Sequence, residues 1–534
     1  MQLHFLDHMV LVAYLIGMIY LGWRLSKGQN TDEEYFLGGR RLPWFAVGVS
    51  IIASLLSSIT YLLSPSAVWY YGFGSFASSL FAIPIEMVAI LLLAIPFFVR
   101  FKFITAYEYL EHRFDLSVRV LGATLFLLFT TILMGVIVMV SSRALVQATG
   151  VPLVVVIVTI GAVSTFYTML GGIKAVVWTD VIQAALLVGG GLFVIGFVAW
   201  STGSGPWDWI RVVTSRKNEG FMFASADPTI PATLVTLTLS SATWTLVAHC
   251  ANQMTLQRYF STVDVRAAKR SFITNIVVSL LLSMILAMIG ASLVYYFTQG
   301  DRPLPLDPTV GKERDLIFPY FVTEYMPPGI AGAIFAALLA AAMSSIDSGV
   351  NSFATVVTVD LGRVFGRQEK QNRVFQARVI TVIVGSLVTV AAIYLDGLTG
   401  MDDILTILPK TFNSLVGALG GLFLAGMLIP RASSRAVWPA AIVGLAVALG
   451  VAYSKNLFQA MGPSALETLG PLLGTDYAER LIENGIGFSW IIFTSAFASL
   501  GTAWLFSFVF PNRDLDRIRG LTWATRNEPS PWTR

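Results

Sequence analysis

Windows of about 20 apolar residues recur along the whole chain, divided by short polar punctuation. Each is long enough to cross a hydrocarbon core of ~30 Å as a helix. Thirteen spans are predicted, at 8–24, 44–63, 75–98, 119–142, 152–171, 178–200, 232–255, 272–298, 329–359, 376–397, 402–429, 436–454 and 487–510. No loop between them exceeds about 35 residues, so nothing outside the membrane is long enough to fold as an enzyme, and no catalytic residues are expected. The outer loops at 201–231 and 299–328, with Trp207, Trp209, Pro303, Pro305 and Pro308, are expected to cap the bundle.

Composition agrees with this pattern. Of 534 residues, 55% are hydrophobic and 12% charged, with mean hydropathy +0.72. A soluble chain carries ~25% charged residues, and half that supply cannot cover a soluble surface. The class is an all-α polytopic membrane protein. Net charge is +4, with the basic residues in short loops, so no nucleic-acid surface is implied. The single cysteine, Cys250, excludes internal disulfides, and four histidines without HExxH argue against a zinc site. The first span follows Met-Gln-Leu-His without Lys or Arg, unlike a secretory signal, and is expected to stay as an anchor.

Lys and Arg in the loops set the orientation. With the N-terminus outside and the C-terminus in the cytoplasm, inner segments hold 25 and outer segments 9, with Lys410 inside a span. The expected location is the plasma (inner) membrane, and the 511–534 tail is too short for a soluble domain.

Polar side chains at membrane depth are costly and mark pathways or ion sites. In the second span, Ser54, Ser57, Ser58 and Thr60 lie ahead of Ser64-Pro65-Ser66. Hydroxyls that bond back to the i−4 carbonyl loosen a helix, and a break here would free carbonyls to ligate a cation. Helix packing through serines explains the same residues. In the ninth span, Ser344, Asp347 and Ser348 share a face with Ser345 beside it. Three hydroxyls and a carboxylate form a hard, oxygen-only shell suited to an alkali or alkaline-earth cation. Asp180, in the sixth span, lies at matching depth and can meet this cluster, unless it pairs with Lys174. Glu86, His249, Asn252, Asp402, Asp403 and Lys410 are scattered. The glycines at 169–172 and 189–191 are read as turn or packing residues.

Several stretches resemble the sodium/solute symporter family. They are 34–44 (EYFLGGRRLPW), 105–114 (TAYEYLEHRF), 167–183 (YTMLGGIKAVVWTDVIQ), 252–258 (NQMTLQR) and 340–352 (AAAMSSIDSGVNS), in the family's order. The resemblance implies a LeuT-like core of two inverted five-helix repeats, 44–200 and 232–429. The first span and inner loop (1–43) precede them, with the outer loop 201–231 between, two further helices (430–510) and the tail after. It implies alternating-access symport of sodium and a small organic solute, with Na⁺ as coupling ion, no other cofactor and no obligate protein partner. A first sodium site is carried over onto Ala53, Leu56, Ala341, Ser344 and Ser345. A second would use Asp180, Ser344, Asp347 and Ser348, with a sodium or a shared proton between two carboxylates that cannot both stay ionised alone. Positions where sugar-carrying relatives place polar ligands read Thr60, Ser79, Thr245, Ala248, His249 and Ser279, so the Glu, Lys and Tyr of a hexose site are missing. Ser57–Thr60 looks like sialic-acid-carrying members, yet Leu133 stands where their carboxylate-binding Arg falls. An organic anion met by Ser57, Thr60, Ser79, Thr245, His249 and a helix N-terminus is the favoured substrate. A sugar, or proton coupling, is the alternative, with a transporter-like sensor the more distant one.

Overall fold

The computed structural model describes residues 3–216, 225, 227–230, 232–300, 302–308, 310–364, 373–399, 404–529 and 531–532. Among them the long helices are α1 (Phe5–Leu25), α2 (Trp44–Leu55), α3 (Ser58–Tyr71), α4 (Gly74–Val88, carried on to Phe98), α5 (Leu116–Thr149), α6 (Leu153–Thr202) and α7 (Leu234–Cys250). They continue with α8 (Gln253–Phe260), α9 (Val265–Thr298), α10 (Ile330–Val356), α11 (Arg373–Thr399), α12 (Ile404–Leu428), α13 (Ser434–Ala452) and α14 (Trp490–Val509). Every predicted window falls on one of these helices or across a bent pair of them. The fifth and sixth windows share α6, a 50-residue helix that breaks at Gly172. There φ is +53°, and a Cβ would meet the Tyr35 carbonyl at 2.5 Å, so only glycine fits the break. Asp402 and Asp403 lie outside the described residues.

Two spans are helix pairs bent at a short break: α2/α3 by 67° and α7/α8 by 53°. The first break is the one the serines predict. Ser54 Oγ donates back to the Ser50 carbonyl at 2.7 Å, and Leu56 and Ser57 turn extended before α3 begins. The second was not anticipated, because residues 232–255 read as one unbroken window. Its local cause is Asn252, whose Oδ1 accepts the Met254 amide at 2.9 Å and starts α8 as a fresh helix.

Packing inverts the soluble pattern. Apolar side chains such as Phe81, Val88, Val277 and Met284 point outward, while Asp180, Arg258, Asp347 and Asp360 are fully buried. α10 is the central helix, with nearly every residue from Ala331 to Val356 buried. Small residues let the helices around it approach closely: a Cβ on Gly385 in α11 would meet Thr165 of α6 at 1.9 Å.

α1 is more than an anchor. Asp7 Oδ1 accepts the amides of Gly329 and Gly332 at 2.6 and 2.7 Å, capping the start of α10. Its Oδ2 accepts the His4 amide at 3.0 Å. One buried carboxylate thus serves the positive ends of two helices.

Outside the bundle, Trp209 is buried and Trp207 is exposed on the short helix Pro206–Ser215. Residues 454–484 form three further short helices. The tail packs onto the bundle: Trp523 donates its amide to the Met427 carbonyl, Arg100 donates to the Gly520 and Arg526 carbonyls, and Trp532 stacks on His112.

Candidate functional site

The break in α2/α3 leaves the last carbonyls of α2 without amide partners further along a continuous helix. Two of them face α10. Ser344 Oγ donates to the Ala53 carbonyl at 2.9 Å and Ser345 Oγ to the Ser54 carbonyl at 3.1 Å. Both hydroxyls also approach the Ala341 carbonyl, at 3.0 and 3.4 Å. Ala53, Ala341, Ser344 and Ser345 therefore meet in one cluster of oxygens. Leu56 lies in the break itself, its extended backbone ending α2. Oxygen donors in an irregular, protein-lined segment suit a hard cation.

The second cluster lies one turn further along α10 and holds a residue the sequence reading assigned elsewhere. Arg258, counted among inner-loop charges, is fully buried in α8. Its Nη2 lies 3.0 Å from Asp180 Oδ2. Its Nε donates to Ser50 Oγ at 2.6 Å, its Nη1 to the Met254 carbonyl at 2.7 Å, and its Nη2 to Ser348 Oγ at 2.5 Å. Ser50 Oγ in turn donates to Asp180 Oδ2 at 2.5 Å. Asp180 thus pairs with Arg258, and Lys174 instead lines a separate cavity with Glu33, Glu34 and Trp178. Asp347 has its own donors: Tyr167 Oη at 2.7 Å on Oδ2 and Ser348 Oγ at 3.3 Å on Oδ1. Ser348 also bonds to Ser54 of α2, at 2.9 Å. Ser344, shared between both sites in the sequence reading, makes its hydrogen bonds in the first cluster. Arg258, Ser50 and Tyr167 were missed because each comes from a different helix. The only sequence signal was an arginine at the edge of an apolar window.

Setting aside Arg113, Arg119, Arg258 and, in the outer loop, Arg314, all buried, the loop charges still divide 22 inside to 8 outside under the expected topology.

Beside these clusters is a cavity of about 360 Å³. Ser54, Ser57 and Thr60 line it from the first break, Asn252 and Met254 from the second, and Ser79, Leu133 and Trp244 from the walls. A cavity of about 290 Å³ adjoins it through Leu55, Thr60, Ser79, Ser241 and Trp244, and adds Glu86, Thr245, His249 and Ser279. All five proposed substrate contacts therefore line one or both spaces. Ala248 is buried but does not line them. His249 Nδ1 is 2.7 Å from Tyr259 Oη.

Two discontinuous helices that converge on a polar cavity, with a hard oxygen cluster between one break and a neighbouring helix, define an ion-coupled secondary transporter. The chain matches the sodium:solute symporter family over residues 35–444 and belongs to it. It is 32% identical to the sodium/sialic acid symporter of Proteus mirabilis over 471 residues, 86% of this chain and 92% of that one. It is 29% identical to the human sodium-coupled monocarboxylate transporter 1, over 84% and 73% of the two chains. Among solved structures, a substrate-bound, outward-open Na⁺-coupled sialic acid symporter superposes with TM-score 0.78 at 26% identity, over 96% of this chain and 99% of the other. The nucleobase-cation symporter Mhp1 shares the fold, with TM-score 0.55 at 14% identity. The architecture is LeuT-like, and the activity is sodium-coupled symport of a small solute, with Na⁺ as coupling ion.

Proposed function

We propose that the chain imports a small organic carboxylate, an organic anion of the monocarboxylate, vitamin or sialic-acid-like kind, together with Na⁺ across the plasma (inner) membrane. The observation that carries the substrate class is the convergence of two helix N-termini. The first turn of α3 (Ser57, Thr60) and that of α8 (Asn252, Met254) line the same cavity, and the positive ends of the two helix dipoles favour a carboxylate. No Lys or Arg lines either cavity among the described residues, so the helix ends take the part a guanidinium would play at Leu133. The relatives named for sialic acid and monocarboxylates are consistent with this class.

The first sodium is held by the carbonyls of Ala53, Leu56 and Ala341 and the hydroxyls of Ser344 and Ser345. It clamps the broken α2/α3 span to α10, and its release inside loosens that contact. By linkage, bound solute raises sodium affinity by the factor by which sodium raises solute affinity. Inward sodium movement supplies ~2.3 kcal/mol per charge per 100 mV, plus the concentration term. A second sodium at Asp180, Asp347 and Ser348 requires the Arg258 guanidinium to yield Asp180. A novel Na⁺ site was described in the solved sialic acid symporter. The N-terminus is placed outside and the C-terminus inside.

Proteoliposomes loaded with K⁺ and diluted into Na⁺ test this reading, with radiolabelled pyruvate, pantothenate and sialic acid. Uptake of one of them only under an inward Na⁺ gradient supports it. Uptake driven equally by a pH gradient without Na⁺ moves the coupling to protons, and an unchanged sodium Hill coefficient in both Asp180→Asn and Asp347→Asn removes the second sodium.

A further inference from the structure

The wall that α4, α7 and α9 give to the 290 Å³ space holds polar groups that sodium coupling does not use. Glu86, in α4, is 7% exposed. Ser241 and Thr245 of α7 both donate to its Oε1, at 3.3 and 2.9 Å, which leaves Oε2 to a ligand. His249 and Asn275 line the same 290 Å³ space and are 1% and 4% exposed. Neither His249 Nε2 nor Asn275 Oδ1 has a hydrogen-bond partner. His249 Nδ1 shares a hydrogen bond with Tyr259 Oη, and in the tautomer that donates from Nδ1, Nε2 is an acceptor.

The Glu86 carboxyl and Asn275 Oδ1, joined by His249 Nε2 in that tautomer, line one space, and no Lys or Arg lines it among the described residues. A carboxylate at membrane depth is costly without a counter-charge, and a buried polar atom left unpaired is destabilising. A hydroxyl satisfies one acceptor and leaves the charge uncompensated. An ammonium brings a positive charge and up to three N–H donors to such a set. A plain anion brings a second negative charge beside Glu86 and gains nothing there.

We propose that Glu86, His249 and Asn275 form an ammonium subsite in the 290 Å³ part of the substrate cavity, so that the transported acid also carries a protonated amine. This rests on the reading that the carboxylate is held at the N-termini of α3 and α8, and narrows it to a zwitterionic solute. The spacing between the two ends then selects chain length.

The test is thermal stabilisation of the purified full-length protein in Na⁺ and in K⁺. The probes are glycine, β-alanine, 4-aminobutyrate and 6-aminohexanoate, their parent acids, the matching hydroxy acids, and butylamine. One amino acid should bind in Na⁺ at least tenfold more tightly than its parent acid and hydroxy acid. Glu86→Gln and, independently, Asn275→Leu should erase that advantage, and in Glu86→Gln the parent acid should gain affinity once the negative charge is gone. Sodium-induced stabilisation without solute reports whether each variant is folded. Equal binding of amino acid and parent acid, an amine preference that survives Glu86→Gln, or no binding by any amine overturns the subsite. Glu86-dependent binding of butylamine, with no contribution from a carboxylate, keeps the subsite and sinks the carboxylate reading instead.

Discussion

Arg258 Nη2 lies 3.0 Å from Asp180 Oδ2, both side chains are fully buried, and the pair occupies the place where the sequence suggests a second sodium. The guanidinium is a tethered cation. It offsets the carboxylate charge without an ion from solution and ties α8, just past the second helix break, to α6. Any movement of α8 therefore acts on the Asp180 carboxylate through this pair.

Asp180→Asn should destabilise the protein by about 3–5 kcal/mol, because breaking a buried pair leaves an uncompensated charge. Adding Arg258→Gln should recover part of that loss. Thermal melts of wild type, both single variants and the double variant at fixed sodium give the coupling energy, and additive losses would show that the pair does not form.

Ser344→Ala and Ser345→Ala each remove a hydroxyl from the oxygen cluster around Ala53 and Ala341. Each should raise the sodium concentration for half-maximal stabilisation about tenfold or more, the equivalent of ~1.4 kcal/mol. Ser348→Ala, one turn away, should leave that value closer to wild type. Sodium titrations of melting temperature distinguish the three.

Asp7→Ala strips the cap from α10 and leaves the Gly329 and Gly332 amides unpaired. Loss of a cap costs about 0.5–2 kcal/mol. Because α10 carries Ser344 and Ser345, sodium affinity should fall along with stability. A melt and a sodium titration check both, and an unchanged melt would show that the cap contributes nothing.

His112 lies outside the spans, with Trp532 of the tail stacked 3.6 Å from its ring. Burial holds its pKa down at about 4 from the usual 6.5. A histidine that resists protonation when packed contributes full stability above pH ~6.5, and that contribution shrinks as pH falls toward 4. The tail should therefore loosen in that window, read by protease sensitivity near residue 520. Trp532→Ala should flatten the pH dependence.

Helix count, membrane class, the α2/α3 break and the hydroxyl cluster of α10 were legible in the sequence, because each rests on local periodicity or on unusual polarity within one apolar window. The break at Asn252 was not, since a single N-capping side chain interrupts a window whose hydropathy stays high. Asp7, just ahead of the first predicted span, carried no signal in the sequence, and only the folded chain shows it capping a helix more than 300 residues away.

What the sequence by itself determined is which segments must be buried in lipid and which of them carry groups too polar to lie there without partners. Tertiary structure alone decided the partners: Arg258 rather than Lys174 for Asp180, Tyr167 for Asp347, and the two hydroxyls of α7 for Glu86. The reason is physical. Hydropathy is a property of each segment, but the compensation of a buried charge depends on which helix faces come within hydrogen-bond reach. Small residues and helix breaks fix that only once the whole bundle has packed.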